Sequence, residues 1–305
     1  MTKQAKRNRK PRDEASQGGS AAMGRVDTYQ VVTDRIIEQL EKNCIPWRKP
    51  WSGGLMPQNL VSGHEYRGVN VFVLGCCTPY ASPYWLTFKQ AIEAGGNVKK
   101  GEKGWPICFW SFKEKEKADG TKESYGFLKR YTVFNSEQCE GIDAPELCEP
   151  DPSWNPIQAA EDIADNFKDG PKVNFGGGRA AYNPQTDTVQ MPDKSAFAKA
   201  EDFFSTLFHE YGHATGSKNR LGRDGVTNPV HFGTHTYSKE ELVAEMTSAF
   251  LCGEAGILHG TLENSAAYIA GWLKTLKEDH RLVVQAAAQA QKAADLILLG
   301  TAITA

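Results

Sequence analysis

His209, Glu210 and His213 stand in the order His-Glu-x-x-His within the run Phe204-Ser205-Thr206-Leu207-Phe208-His209-Glu210-Tyr211-Gly212-His213. Residues four apart on a helix lie on one face, a turn apart, so both imidazoles can grip a single metal ion. Zinc held by two histidines at ~2.0–2.1 Å keeps positions open for another ligand and for water, as catalytic sites do. Glu210 follows the first histidine and is placed to act as general base and later as proton donor. Phe203, Phe204, Leu207, Phe208 and Tyr211 give the expected helix, residues 200–215, an apolar face to bury.

A third ligand is offered by Tyr237-Ser238-Lys239-Glu240-Glu241-Leu242-Val243-Ala244-Glu245. At helical spacing Glu241 and Glu245 share a face, Leu242, Met246 and Phe250 face the core, and Glu240 points elsewhere, into solvent. Either Glu241 or Glu245 can serve. The pattern resembles zinc peptidases whose third ligand is a glutamate followed four residues later by an acid. That resemblance implies Glu241 on the metal and Glu245 hydrogen-bonding a ligand histidine from behind. The expected cofactor is Zn2+, and another divalent metal would suit the same donors. Tyr182, His231, His235 and Tyr237 are candidates for the donor that hydrolysis needs at a developing oxyanion. The segment Thr188–Met191 is the expected edge strand for an extended peptide.

The elements that must position these residues fall into two groups. Helices are expected at 27–43 and from Pro83 through Ile92, a strand or buried segment at 69–74, and strands at 104–112 and 124–135. This makes the first domain α+β with an antiparallel sheet. A basic, apolar-poor tail at 1–24 precedes it and is expected to be disordered. The domain itself spans 25–140. An acidic, proline-containing linker covers 141–156. The second domain, 157–305, takes a helix at 156–166, strands at 180–182 and 188–191, helices at 200–215 and 238–252, and a long alanine-rich helical region at 264–298.

The formal net charge of the 305 residues is -2, but residues 1–135 carry 22 Lys+Arg against 13 Asp+Glu and the remainder 13 against 24. A first half at +9 favours an anionic polymer as partner. Five of the seven tryptophans lie there, interleaved with cations: Trp47, Arg48, Lys49 and Trp51; Tyr66 and Arg67; Lys99, Lys100 and Lys103; Lys129 and Arg130. Single-stranded nucleic acid is bound by this mixture, cations tracking phosphates and rings stacking on bases. The seven cysteines form no C-x-x-C, and no signal peptide is recognisable, so reduced thiols in a cytoplasm are expected. No apolar run reaches the ~20 residues of a membrane span.

Several runs together resemble the ArdC-type antirestriction proteins of conjugative plasmids. These are Ile45-Pro46-Trp47 with Pro50-Trp51, Pro57-Gln58-Asn59, Gly63 through Asn70, Gly95 through Lys103, Phe134 through Gln138, His209 through His213, Arg220-Leu221-Gly222-Arg223, and Tyr237 through Glu245. The resemblance implies a single-stranded-DNA-binding domain followed by a zincin-like metallopeptidase domain. It also implies protection of incoming plasmid DNA from host restriction endonucleases, and entry into the recipient cell with the transferred strand. Two roles then compete: a protector that coats single strands, and a metallopeptidase recruited to restriction endonucleases or other proteins bound on DNA.

Overall fold

The structure, a computed structural model, describes residues 27–48, 55–116, 121–146, 153–228, 235–257 and 266–300. The basic tail, Lys49, Trp51, His231 and much of the acidic linker lie outside the described residues.

Helix α1, Thr28–Leu40, starts where the Asp27 carboxylate accepts the Tyr29 N–H, and buries Val32, Ile36, Ile37 and Leu40. A single tight turn, Pro46–Arg48, follows, then strand β1, Gln58–Asn59. The apolar run expected as a strand is buried but helical: α2, Val69–Val71, passes into a π-helical turn, Phe72–Cys76. Phe72 packs against Phe250 with tilted rings 5.0 Å apart, and Asn70 holds the backbone of Cys108 through both ends of its amide, so tertiary contacts override the run's β-branched character. The helix expected from Pro83 begins later. Strand β2, Tyr84–Leu86, comes first, and Thr87 then caps α3, Phe88–Glu93, with Gln90 reaching back in a capping box. Strand β3, Asn97–Val98, precedes two long strands, β4, Trp105–Glu116, and β5, Lys122–Asn135, and β6, Cys139–Glu140, closes the half. The sheet order is β1-β2-β5-β4, antiparallel except for the short β1–β2 pair. The first half is therefore α+β, as its strand pattern indicates.

The second half opens with α4, Pro156–Asp165, capped by Asn155. Strands β7, Lys172–Phe175, β8, Ala181–Asn183, and β9, Thr188–Met191, form a sheet ordered β7-β9-β8. The strand expected at the edge, β9, is thus the central one. It is parallel to β7 and antiparallel to β8, and β8 is the edge. The short β7 beside a glycine-rich segment offered no run long enough to read. Helices α5, Ala200–Ala214, α6, Asp224–Thr227, α7, His235–Ala255, α8, Ala266–Glu278, and α9, Leu282–Leu299, complete the chain. The expected single alanine-rich helical region is interrupted between α8 and α9, where Asp279 accepts the Arg281 N–H.

The two halves share one apolar core. It runs from Val32 and Trp47 through Phe72 to Phe208, Leu242, Trp272 and Ala290. Across the seam, Thr33 donates to the His280 carbonyl at 2.6 Å, and Arg67 pairs with the buried Asp295 of α9.

Helices α5 and α7 cross most closely at Gly212. A Cβ there would lie 2.8 Å from the Ala244 Cα and 3.2 Å from its carbonyl oxygen. Glycine inside a helix costs about 1 kcal/mol relative to alanine, so intrinsic propensity favours replacing it. The clash with a rigid backbone is worth about 1–3 kcal/mol in the other direction. Gly212→Ala is therefore expected to lower the unfolding midpoint of the chelator-treated protein, and a raised midpoint would show that the crossing is looser than described.

Candidate metal centre and nucleic-acid interface

The crossing brings the predicted ligands together. Phe203, Phe204, Leu207 and Phe208 bury one side of α5, and Tyr211 meets Phe167 with ring centroids 5.2 Å apart. That fixes the rotation of the helix and turns His209 and His213 toward α7. Their Nε2 atoms are 3.1 Å apart. Glu241 approaches from α7, with its carboxylate oxygens 3.7 Å from His209 Nε2 and 3.6 Å from His213 Nε2. These three residues are the metal-ligand cluster found among the described residues. The edges of a tetrahedron around a zinc bound at ~2.0–2.1 Å are ~3.3 Å, so the donor set fits a divalent ion.

Glu210 is buried, and its Oε2 accepts the Tyr182 N–H of the edge strand β8 at 2.7 Å. Burial pushes its pKa up, against the pull of His213 and the Tyr182 N–H. The Tyr182 hydroxyl is turned away, donating to Asp187 at 2.9 Å, and Asp187 in turn receives both Nη groups of Arg220 at 2.8 and 2.9 Å. Tyr182 therefore serves the site through its backbone. Tyr237 lines the cleft, and burial together with Glu241 pushes its hydroxyl pKa up to about 12. It is thus a protonated donor at neutral pH. The side chain of His235 is not among those described.

Glu240 departs from expectation. It is not solvated but buried, and it accepts Arg223 Nη2 at 2.6 Å and Nε at 2.9 Å while facing His213 Nδ1 at 3.4 Å. Burial alone would raise its pKa, but the bonds from Arg223 and His213 hold it below the usual carboxylate range. Helical spacing misplaced Glu240 because α6 and the loop before it cover the side of α7 that would otherwise face water. Glu245 is also buried and pairs with Arg48 Nη2 at 3.2 Å, beside His209, Glu241 and Tyr268 in the wall of the cleft.

The expected DNA contacts divide. Trp47 is 1% exposed, its ring edge-on to Trp272 at 5.9 Å, and Arg48 lies over the Tyr268 ring at 4.5 Å. Tyr66 is buried against Phe109. None of these three presents a face to a base. Flanking prolines and charges suggested a surface turn, but the turn is a plug between the halves. Arg67 is held by Asp295, and Lys99 donates to the Glu137 carbonyl at 2.8 Å. Lys100, Lys103, Lys129 and Arg130 are exposed.

Other aromatics take the surface. Phe109, Trp110, Phe112, Tyr125 and Tyr131 are each at least 40% exposed on the β4–β5 hairpin. Register places Phe109 opposite Lys129, Lys113 opposite Tyr125, Ser111 opposite Phe127 and Ile107 opposite Tyr131, all on one face. Lys113 and Lys129 both reach the Phe127 ring, at 5.3 and 5.7 Å. Alternation along the two strands was the signal that could have found this face.

The buried pair has a measurable consequence. Arg48→Ala breaks the ion pair with the buried Glu245 carboxylate, which costs about 3–5 kcal/mol. Denaturant unfolding is expected to show that loss. An unchanged midpoint would mean Arg48 is a surface contact after all.

Comparison with known proteins agrees with this arrangement. Residues 26–134 match the model of the N-terminal domain of anti-restriction factor ArdC, and residues 158–289 match that of a zincin-like metallopeptidase. Two Escherichia coli proteins named DNA primase TraC are 36% and 35% identical over 88% of this chain, but the matched part is only 27% and 20% of their length. An uncharacterized protein of Sinorhizobium fredii is 35% identical, with 91% of its length covered. Crystal structures of the antirestriction ArdC protein from plasmid R388, metal-free and Mn(II)-bound, are 38% identical at a TM-score of 0.70, with 89% of this chain and 96% and 97% of theirs covered. The zincin-like domain implies a divalent metal, and the described residues include no helix long and apolar enough to cross a membrane. With the fold, the metal-ligand cluster and these relatives in accord, the chain belongs to the family of ArdC antirestriction proteins.

Proposed function

We propose that this protein binds single-stranded DNA without sequence preference through the β4–β5 hairpin, and so protects incoming plasmid DNA from restriction endonucleases during conjugation. The observation that carries the DNA reading is the face formed by exposed Phe109, Tyr131 and Tyr125 and half-buried Phe127, laced with Lys113 and Lys129. Every base has a π-face, so such rings hold a strand of any sequence while the lysines follow its phosphates. Arg130 adds charge on the opposite face of the hairpin, and Lys100 and Lys103 add charge elsewhere in the first half.

A second reading is favoured by the metal centre: a peptidase recruited to proteins bound on that DNA. His209, His213 and Glu241 would hold Zn2+ or another divalent ion, which would act as a Lewis acid on a peptide carbonyl. Glu210, oriented by the Tyr182 N–H, takes the proton of the attacking water and passes it to the leaving amine. The Tyr237 hydroxyl stays protonated and can donate to the developing oxyanion. The edge of β8 is where an extended substrate would align, since Ala180, Ala181 and Tyr182 line the cleft.

Fluorescence anisotropy with labelled single strands tests the first reading. Phe109→Ala and Tyr131→Ala are each expected to weaken binding by ~1–3 kcal/mol. Lys129→Ala should flatten the slope of log affinity against log salt by about 0.7. Unaltered binding in all three would remove the hairpin from the interface. Glu210→Gln separates the two readings: protection from restriction that persists belongs to DNA coating, and protection that is lost belongs to peptidase chemistry.

A further inference from the structure

Arg223 and Glu240 take no part in the steps above, yet they form a heavily bonded buried ion pair beside the site. The guanidinium spends its donors on four acceptors: both Glu240 oxygens at 2.6 and 2.9 Å, the Thr215 hydroxyl at 2.8 Å and the Gly212 carbonyl at 2.7 Å. Both side chains are 8% exposed. The space for them is made by two glycines. A Cβ on Gly216 would lie 2.8 Å from Arg223 Nη2, and one on Gly225 would lie 2.7 Å from the Glu240 Cβ. One Glu240 oxygen, already gripped by Arg223, faces His213 Nδ1 at 3.4 Å. An isolated buried carboxylate is costly, and a buried ion pair is not in itself a gain in stability. A pair so fully bonded and aimed at the far nitrogen of a ligand histidine is therefore explained better by the ligand it orients.

We propose that Arg223 and Glu240 are positioning residues for the metal: Arg223 fixes the Glu240 carboxylate, and Glu240 accepts the Nδ1 proton of His213. His213 is thereby held in the tautomer whose Nε2 lone pair points at Glu241 and His209. The Gly212 carbonyl ties the same guanidinium to the helix that carries His213, so the loop Leu221–Arg223 reports directly on ligand geometry. The inference rests on His213 being a metal ligand.

The test is the affinity of the full-length protein for Mn2+ and for Zn2+, measured by competition with a chelator for the wild type, Glu240→Gln, Arg223→Lys and His213→Ala, alongside the unfolding midpoint of each in excess chelator. Removing such a partner typically weakens metal binding by ~10–100-fold. Glu240→Gln is expected to show that fall, with Arg223→Lys intermediate and His213→Ala lower still. Glu240→Gln binding both metals as the wild type does would overturn the inference, even with a lowered midpoint, since that would mark a purely structural pair. A wild type that binds neither metal, or a His213→Ala variant that binds as well as the wild type, overturns the reading of the site itself and the inference with it.

Discussion

Everything at the metal centre depends on the contact between Gly212 and Ala244. A glycine between Glu210 and the second histidine leaves no side chain at the point where α5 and α7 come closest. Two helix backbones then approach closely enough for the Glu241 oxygens to come within 3.7 Å of both imidazoles. With a larger residue at either position the helices would stand apart, and the three donors would no longer converge on one point. Helix packing is normally tuned by side-chain size over whole ridges; here it is set at one pair of small residues.

A second constraint is the amount of charge in the interior. Arg48 with Glu245 and Arg223 with Glu240 are both buried pairs that touch α7, one on each side of Glu241. Each joins α7 to a segment distant in sequence, the plug at Pro46–Arg48 and the loop before α6. Paired charges of this kind resist substitution because removing one partner strands the other. The Arg48 pair also ties the first half to Glu245 in the wall of the metal cleft. Together with the continuous core and the packing of α8 and α9 on α1, this couples the first half mechanically to the site.

What the sequence disclosed follows from what period and spacing can carry. His209, Glu210 and His213 were legible because a helix imposes a four-residue repeat; spacing left Glu241 and Glu245 both open as the third ligand, and only the resemblance to zinc peptidases favoured Glu241. The hairpin strands were legible from aromatic and β-branched content. Glu240 was not, since its burial depends on a loop whose path has no period. Trp47 and Arg48 misled for the opposite reason: proline and charge usually mark surface, and only the position of α7 and α8 shows that this turn is enclosed. The central place of β9 was hidden because its neighbour β7 is four residues long. The exposed rings Phe109, Tyr125 and Tyr131 were hidden because aromatic residues in a strand read as core, and only the burial of Pro106, Ile107, Cys108 and Val133 shows where the core side of the hairpin ends.

The most direct test of the account is anomalous diffraction at the manganese edge from crystals soaked in Mn(II). One strong peak is expected, bounded by His209 Nε2, His213 Nε2 and the Glu241 carboxylate, with Glu245 still paired to Arg48 and Glu240 to Arg223. A peak coordinated by Glu245 in place of Glu241, or ordered metal only elsewhere on the protein, would contradict it.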